Sequence, residues 1–205
     1  MIAVVDYGVG NLFSLTSSLR FIGAKAEVTS DPAVIARADG VILPGVGAFA
    51  DARAKLRSSG AERAVLDTAG KGTPFLGICL GMQMLFDRSY EYGVHEGLGL
   101  IPGEVVPFRL PREMKVPHMG WNSLRILRPS PLLAYVGEGE YVYYVHSYYA
   151  TGCAKYAVAV SDYGVPVTGA VARGNVYGTQ FHPEKSGETG LNILRAFKDI
   201  TEGRL

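Results

Sequence analysis

The chain has 205 residues, of which 48% are hydrophobic and 19% charged, and its formal net charge is +1. That apolar share excludes a disordered chain, which cannot bury enough surface to offset ordering entropy, and near-neutrality removes the electrostatic case for nucleic acid or an anionic membrane surface. The 26 glycines, about 13% against a usual ~7%, follow no fixed period, so collagen is excluded and many sharp turns are implied.

Residues 2–7 form a short apolar run that reads as a buried strand. Asn11 stands at a helix N-cap position, Leu12, Leu15, Leu19 and Ile22 follow at helical spacing, and Gly23 supplies a stop. Residues 26–30 read as a second strand. Asp31-Pro32, an N-cap followed by proline at the first helical position, opens a short helix over residues 31–38. Residues 41–43 are a third strand, ending at Pro44-Gly45-Val46-Gly47. One or two helices fill residues 48–69, residues 74–78 are a fourth strand, and an apolar helix starts near Leu80. Strand alternating with helix predicts a parallel sheet with helices on both faces.

The second half changes character, because eleven of the 12 tyrosines lie after Ser89. Runs 105–127, 141–150, 156–161, 165–172 and 175–181 read as strands joined by short turns. Leu191, Leu194, Phe197 and Ile200 recur every three residues in a closing helix over residues 189–200. The expectation is a single α/β domain over residues 1–205, with a mostly parallel central sheet flanked by helices and a smaller antiparallel extension. The longest mostly apolar stretch, residues 74–86, is too short to span a bilayer. The N-terminus lacks the basic region of a signal peptide, and Cys79 and Cys153 make no disulfide framework. A cytoplasmic location follows, with neither membrane nor nucleic acid as a partner.

The strongest local feature is Gly77-Ile78-Cys79-Leu80-Gly81, between a strand and a helix. It is the nucleophile-elbow pattern G-x-S-x-G with cysteine in the serine position. A sharp strand-to-helix turn lifts the middle side chain above the sheet edge, and small residues on either side let backbone segments approach. A helix N-terminus favours the thiolate. The alternative is a structural cysteine between two packing glycines.

A thiolate needs an acid/base partner. Of His95, His118, His146 and His182, the last lies in Phe181-His182-Pro183-Glu184 at the end of a strand-like run. Residues two apart in an extended segment face one side, so Glu184 can orient the His182 imidazole; an unrelated loop histidine is the competing reading. The glycine-bracketed turn at Val46 can aim a backbone N–H at one point, as an oxyanion hole requires, with the Leu80 N–H as second donor. A plain tight turn is the alternative there. Gly8-Val9-Gly10 fails as a dinucleotide fingerprint because Phe13 occupies the third glycine position. No C-x-x-C pair or Walker motif is present, so no metal or cofactor is expected.

Taken together, GICLGMQ at residues 77–83, FHPEKS at 181–186 and LPGVGAF at 43–49 resemble the motifs of class I, triad-type glutamine amidotransferases. DYGVGNLFSL, PHMGWN at residues 117–122 and VHSYYA at 145–150 are similar to the glutaminase subunits of imidazole glycerol phosphate synthases within that family. The resemblance runs from Asp6 to Ser186 and implies a flavodoxin-like fold. It implies that Cys79 attacks the side-chain amide of glutamine, that His182 moves the proton, and that Glu184 holds His182. The N–H groups of Val46 and Leu80 would bind the oxyanion, with Val46 N–H turned away at rest. Gly47, Gln83, Glu91, Ser147 and Tyr148 would bind the substrate. The implied partner is a separate barrel-type cyclase subunit that takes the ammonia and forms imidazole glycerol phosphate and an aminoimidazole carboxamide ribonucleotide in histidine biosynthesis. A 205-residue chain has no room for a barrel of its own. Trp121, Tyr143 and Lys185 then read as interface residues, against core packing or a solvated charge. Other readings are the glutaminase component of another biosynthetic amidotransferase, a regulatory subunit that has kept the fold, and a thiol hydrolase of related fold.

Overall fold

Strands that are apolar at every position need cover on both faces, which a sheet between two layers of helices provides. The computed structural model describes residues 1–205. It begins β1 (Ile2–Val5), α1 (Leu12–Phe21), β2 (Ala26–Thr29), α2 (Pro32–Ala36), β3 (Gly40–Leu43), α3 (Phe49–Ser58), α4 (Ala61–Gly70), β4 (Phe75–Ile78) and α5 (Leu80–Met84). It continues through β5 (Arg88–Ser89), β6 (His95–Glu96), β7 (Glu104–Pro107), β8 (His118–Ser123), β9 (Arg125–Ile126), β10 (Tyr141–His146) and β11 (Tyr148–Thr151). It closes with β12 (Ala157–Asp162), β13 (Pro166–Arg173), β14 (Val176–Thr179) and α6 (Gly187–Thr201). The side chains of Asn11 and Asp31 accept from the backbone N–H groups of Ser14 and Ala33 and cap α1 and α2.

The main sheet has eight strands in the order β2-β1-β3-β4-β14-β13-β12-β9. Pairing is parallel from β2 to β14 and antiparallel from there to β9. The antiparallel part therefore continues the main sheet. Two smaller sheets, β10-β8 and β11-β7-β5-β6, carry the rest. Alternation along the parallel strands divides the core in two. Ala3, Val5, Val41, Leu43 and Phe75 pack with residues of α2, α3 and α4 on one face. Ile2, Val4, Ile42, Leu76 and Ile78 pack with Leu15, Leu19, Ile193, Leu194 and Phe197 of α1 and α6 on the other.

Two local expectations shift. Residues 108–117, inside the run read as strand-rich, are irregular; Pro107, Pro111 and Pro117 remove ladder donors at intervals. In α6 the buried side is Gly190, Ile193, Leu194, Ala196 and Phe197, while Leu191 and Ile200 lie at its margins. Steps of three residues fall short of a full turn of about 3.6, so a strict every-third pattern drifts round the helix.

Candidate active site

The site forms at the C-terminal ends of β3, β4 and β14, where open α/β sheets place their crevices. Cys79 follows β4 with φ 54° and ψ −110°. For a residue with a side chain, a backbone in this region costs about 1–3 kcal/mol and persists only where surrounding structure enforces it. The flanking glycines provide the enforcement. A Cβ on Gly81 would sit 1.8 Å from the Leu43 carbonyl oxygen, and one on Gly77 would sit 2.7 Å from the Gly81 carbonyl oxygen. The helix start can press against β3 and β4 only because neither position has a side chain.

Parallel pairing of β14 beside β4 brings the histidine to the cysteine. Thr179 lies opposite Ile78, and the Cys79 N–H donates to the Thr179 carbonyl at 2.7 Å. Three residues on, His182 is buried, with Nδ1 2.8 Å from Glu184 Oε1. The two converge through a 3-10 turn at Pro183–Lys185, where an extended segment was expected. His182 Nε2 is buried and has no hydrogen-bond acceptor, so it is the nitrogen left for the Cys79 thiol. Burial alone would depress the imidazole, but the adjacent Cys79 and Glu184 groups outweigh it and push its pKa up to about 10.

The two expected oxyanion donors do not converge in this structure. Leu80 N–H donates to the Gly45 carbonyl at 3.3 Å. In a trans peptide C=O and N–H point in opposite directions, so Val46 N–H faces away from that of Leu80. The turn is held at both ends. Tyr7 Oη donates to the Pro44 carbonyl at 2.6 Å, and Glu91 Oε2 accepts from Phe49 N–H at 2.6 Å, capping α3 where Ala48 has no side-chain acceptor. Burial, reinforced by Cys79, pushes the Tyr7 hydroxyl pKa upward, which keeps it a donor.

A cavity of about 320 Å³ opens over Cys79 and is lined by Val46, Gly47, Leu80, Gln83, Glu91, Ser147, Tyr148 and His182. The sequence-flagged substrate residues thus meet in one place, with Glu184 behind His182. Sequence reasoning missed the buried network beneath it. Gln83 Nε2 donates to the Tyr148 carbonyl at 2.9 Å and to Gln180 Oε1 at 3.0 Å. His146 Nδ1 donates to the same carbonyl at 2.8 Å, and His118 Nδ1 lies 2.9 Å from His146 Nε2. A carbonyl only accepts, so both imidazoles are assigned as neutral Nδ1–H tautomers. Burial pushes His118 down to about 4 and His146 down to about 3. No cluster of His, Cys, Asp or Glu is placed to hold a metal ion.

On the outer face of β8 and β10, Trp121 sits opposite Tyr143 with ring centroids 6.0 Å apart, and Lys185 Nζ lies 6.0 Å from the Tyr143 ring. Trp121 is 56% exposed and Met119 63%. The three sequence-flagged interface residues therefore lie together, with Trp121 and Lys185 exposed and Tyr143 half-buried between them.

Comparison with known proteins places these features in context. Residues 3–200 match the family described as glutamine amidotransferase class-I. The chain is 49% identical over 201 residues to the imidazole glycerol phosphate synthase subunit HisH of Listeria monocytogenes serotype 4a (strain HCC23), covering 98% of this chain and 96% of that one. It is 51% identical over 202 residues to the subunit of the same name from Bacillus cereus (strain G9842), at 98% and 96% coverage. A solved glutamine amidotransferase superposes with a TM-score of 0.75 at 18% identity, covering 99% of this chain and all of that one. PurLQS from Thermotoga maritima superposes with a TM-score of 0.71 at 20% identity over 97% of each chain. No helix is long and apolar enough to cross a membrane.

Proposed function

The chain belongs to the class-I glutamine amidotransferase family, and from that premise we propose how it works as the glutaminase subunit of an imidazole glycerol phosphate synthase. The arrangement that carries the mechanism is the buried His182–Glu184 pair, 2.8 Å apart, with the free imidazole nitrogen turned to Cys79 at the floor of the cavity. Cys79 Sγ attacks the side-chain carbonyl carbon of glutamine with its proton already held on His182 Nε2, as the raised imidazole pKa requires. Glu184 accepts from Nδ1–H throughout, fixing the ring and stabilising the imidazolium. The tetrahedral oxyanion rests on the Leu80 and Val46 N–H groups once the 45–46 peptide has turned over. The intermediate collapses, C–N breaks, and His182 delivers its proton to the departing ammonia. Water, deprotonated by His182, then cleaves the thioester to give glutamate and the free thiol.

Gly47, Gln83, Glu91 and the Ser147–Tyr148 backbone hold the substrate's main-chain end. Ammonia passes to a separate cyclase subunit, a (β/α)₈ barrel, which docks on the Trp121–Tyr143–Lys185 face and uses it in histidine biosynthesis. The test is Cys79→Ala in the reconstituted complex. Glutamine-dependent synthesis should vanish while synthesis from ammonium salt persists at the wild-type rate. Equal loss with both nitrogen sources would remove Cys79 from glutaminase chemistry.

A further inference from the structure

Gln180 has no role in the mechanism above, yet it is fully buried, and its side-chain Nε2 lies 3.8 Å from the Cys79 sulfur. The direction of that contact follows from its neighbours. The Tyr148 carbonyl can only accept, so the Gln83 group facing it at 2.9 Å is the amide nitrogen. The second N–H of the same amide points at Gln180 at 3.0 Å, which requires the Gln180 oxygen on that side. The Gln180 NH₂ is thereby turned to Cys79. Flipping it would set two NH₂ groups face to face and present an oxygen lone pair to the sulfur. His146 occupies the other side of the Tyr148 carbonyl at 2.8 Å, so the anchor of the chain is held by two donors.

We propose that Gln180 is a positioning residue for the nucleophile: its buried N–H holds Cys79 Sγ toward the cavity and stabilises the anionic sulfur. A thiolate accepts a hydrogen bond more strongly than a thiol, so a donor fixed on sulfur favours the ionised form. It also steadies the sulfur as leaving group when the thioester is cleaved. The catalytic consequence rests on the glutaminase mechanism above; the effect on the thiol does not.

The test is the rate of iodoacetamide alkylation at Cys79, followed by peptide mass spectrometry between pH 6 and pH 9.5, in wild type, Gln180→Met and Gln180→Glu. Removing the donor in Gln180→Met should slow alkylation at pH 7 about tenfold, the low end for a hydrogen bond to a charged group because sulfur accepts weakly. The deficit should narrow as pH rises and the thiolate fills, which a packing defect would not produce. Gln180→Glu keeps the acceptor for Gln83 and sets an oxygen against the sulfur, so its loss should be larger. In glutamine turnover, kcat should fall with alkylation while KM moves less than about threefold. Alkylation at pH 7 within twofold of wild type in either folded variant, or a deficit unchanged at pH 9.5, would overturn the proposal. Should both variants melt below the assay temperature, the wild type decides. The Gln180 side-chain amide resonances should shift along the alkylation pH profile and stay fixed in Cys79→Ala; resonances blind to Cys79 ionisation would overturn it. A wild-type protein inert toward glutamine but with this alkylation pattern would remove the glutaminase reading and leave Gln180 in place.

Discussion

Replacing Val46 with proline removes the backbone N–H that turnover of the 45–46 peptide would expose. Gly45 precedes it, and glycine tolerates the restriction that proline places on its neighbour better than any other residue. The Val46 side chain is 40% exposed, so the ring has room. In the structure the Leu80 N–H is occupied by the Gly45 carbonyl at 3.3 Å, and Val46 N–H becomes useful only after the 45–46 peptide turns over. Breaking that one bond costs a net ~0.5–1.5 kcal/mol, which leaves roughly a fourteenth to a third of molecules with the turn reversed at rest. Through this bond alone, docking of the cyclase subunit and its ligand can raise activity by no more than about 15-fold. Larger stimulation requires the Tyr7 and Glu91 anchors to loosen as well. Once the hole is formed, loss of one donor costs about 2.7–4 kcal/mol, or 10²–10³ in kcat. The expected result is a stimulated glutaminase rate lower by that factor in Val46→Pro, with iodoacetamide alkylation of Cys79 within twofold of wild type. Glutamate release is measured with and without the cyclase subunit and its ligand. A Val46→Pro complex keeping its stimulated rate within about threefold of wild type would show that Val46 N–H does not serve the oxyanion.

Other outcomes follow from the same geometry. Gly81→Ala should give no soluble folded protein, because its Cβ would lie 1.8 Å from the Leu43 carbonyl oxygen; Gly47→Ala, facing open space at φ +91°, should lose only about 1–2 kcal/mol in denaturant melts. Stability should fall at both pH extremes. The folded pKa of His182, about 10, lies above the ordinary 6.5, so its contribution is complete below 6.5 and lost as pH rises through 10. Those of His118 and His146, about 4 and about 3, lie below 6.5, so theirs is complete above 6.5 and lost as pH falls through 4 toward 3. Thermal melts across this range should lose the alkaline decline, and keep the acid one, in His182→Gln; an unchanged alkaline limb would contradict the assignment. His146→Asn can still donate to the Tyr148 carbonyl and should keep KM for glutamine near wild type, whereas His146→Leu should raise it, as steady-state kinetics would show. Trp121→Ala should weaken binding to the cyclase subunit by about 30-fold or more in calorimetry, the effect of an aromatic hot spot of at least 2 kcal/mol.

Features confined to one stretch of chain were readable in the sequence. The caps at Asn11 and Asp31, the alternation from β1 to β4 and the elbow glycines each depend on residues within a few positions of one another. The elbow also shows why the spacing is informative: Gly77 and Gly81 are glycine because of one close approach of α5 to β3 and β4. Cys79 and His182 were joined only by chemistry and by resemblance, since the contact itself depends on β14 entering the sheet beside β4. Gln180 and His146 left no such trace. Gln83 and Gln180 are 97 positions apart, and a buried amide two residues before the histidine fits no periodic pattern and no catalytic template. Tyr7, hydrogen-bonded to Pro44 across 37 positions, reads in the sequence as the end of a strand. Polar groups closed off from water must satisfy one another, so a burial map that marks Gln83, Gln180, His118 and His146 already demands a network among them. That demand arises from the tertiary structure, and it reaches Gln180, which lies outside every motif quoted above.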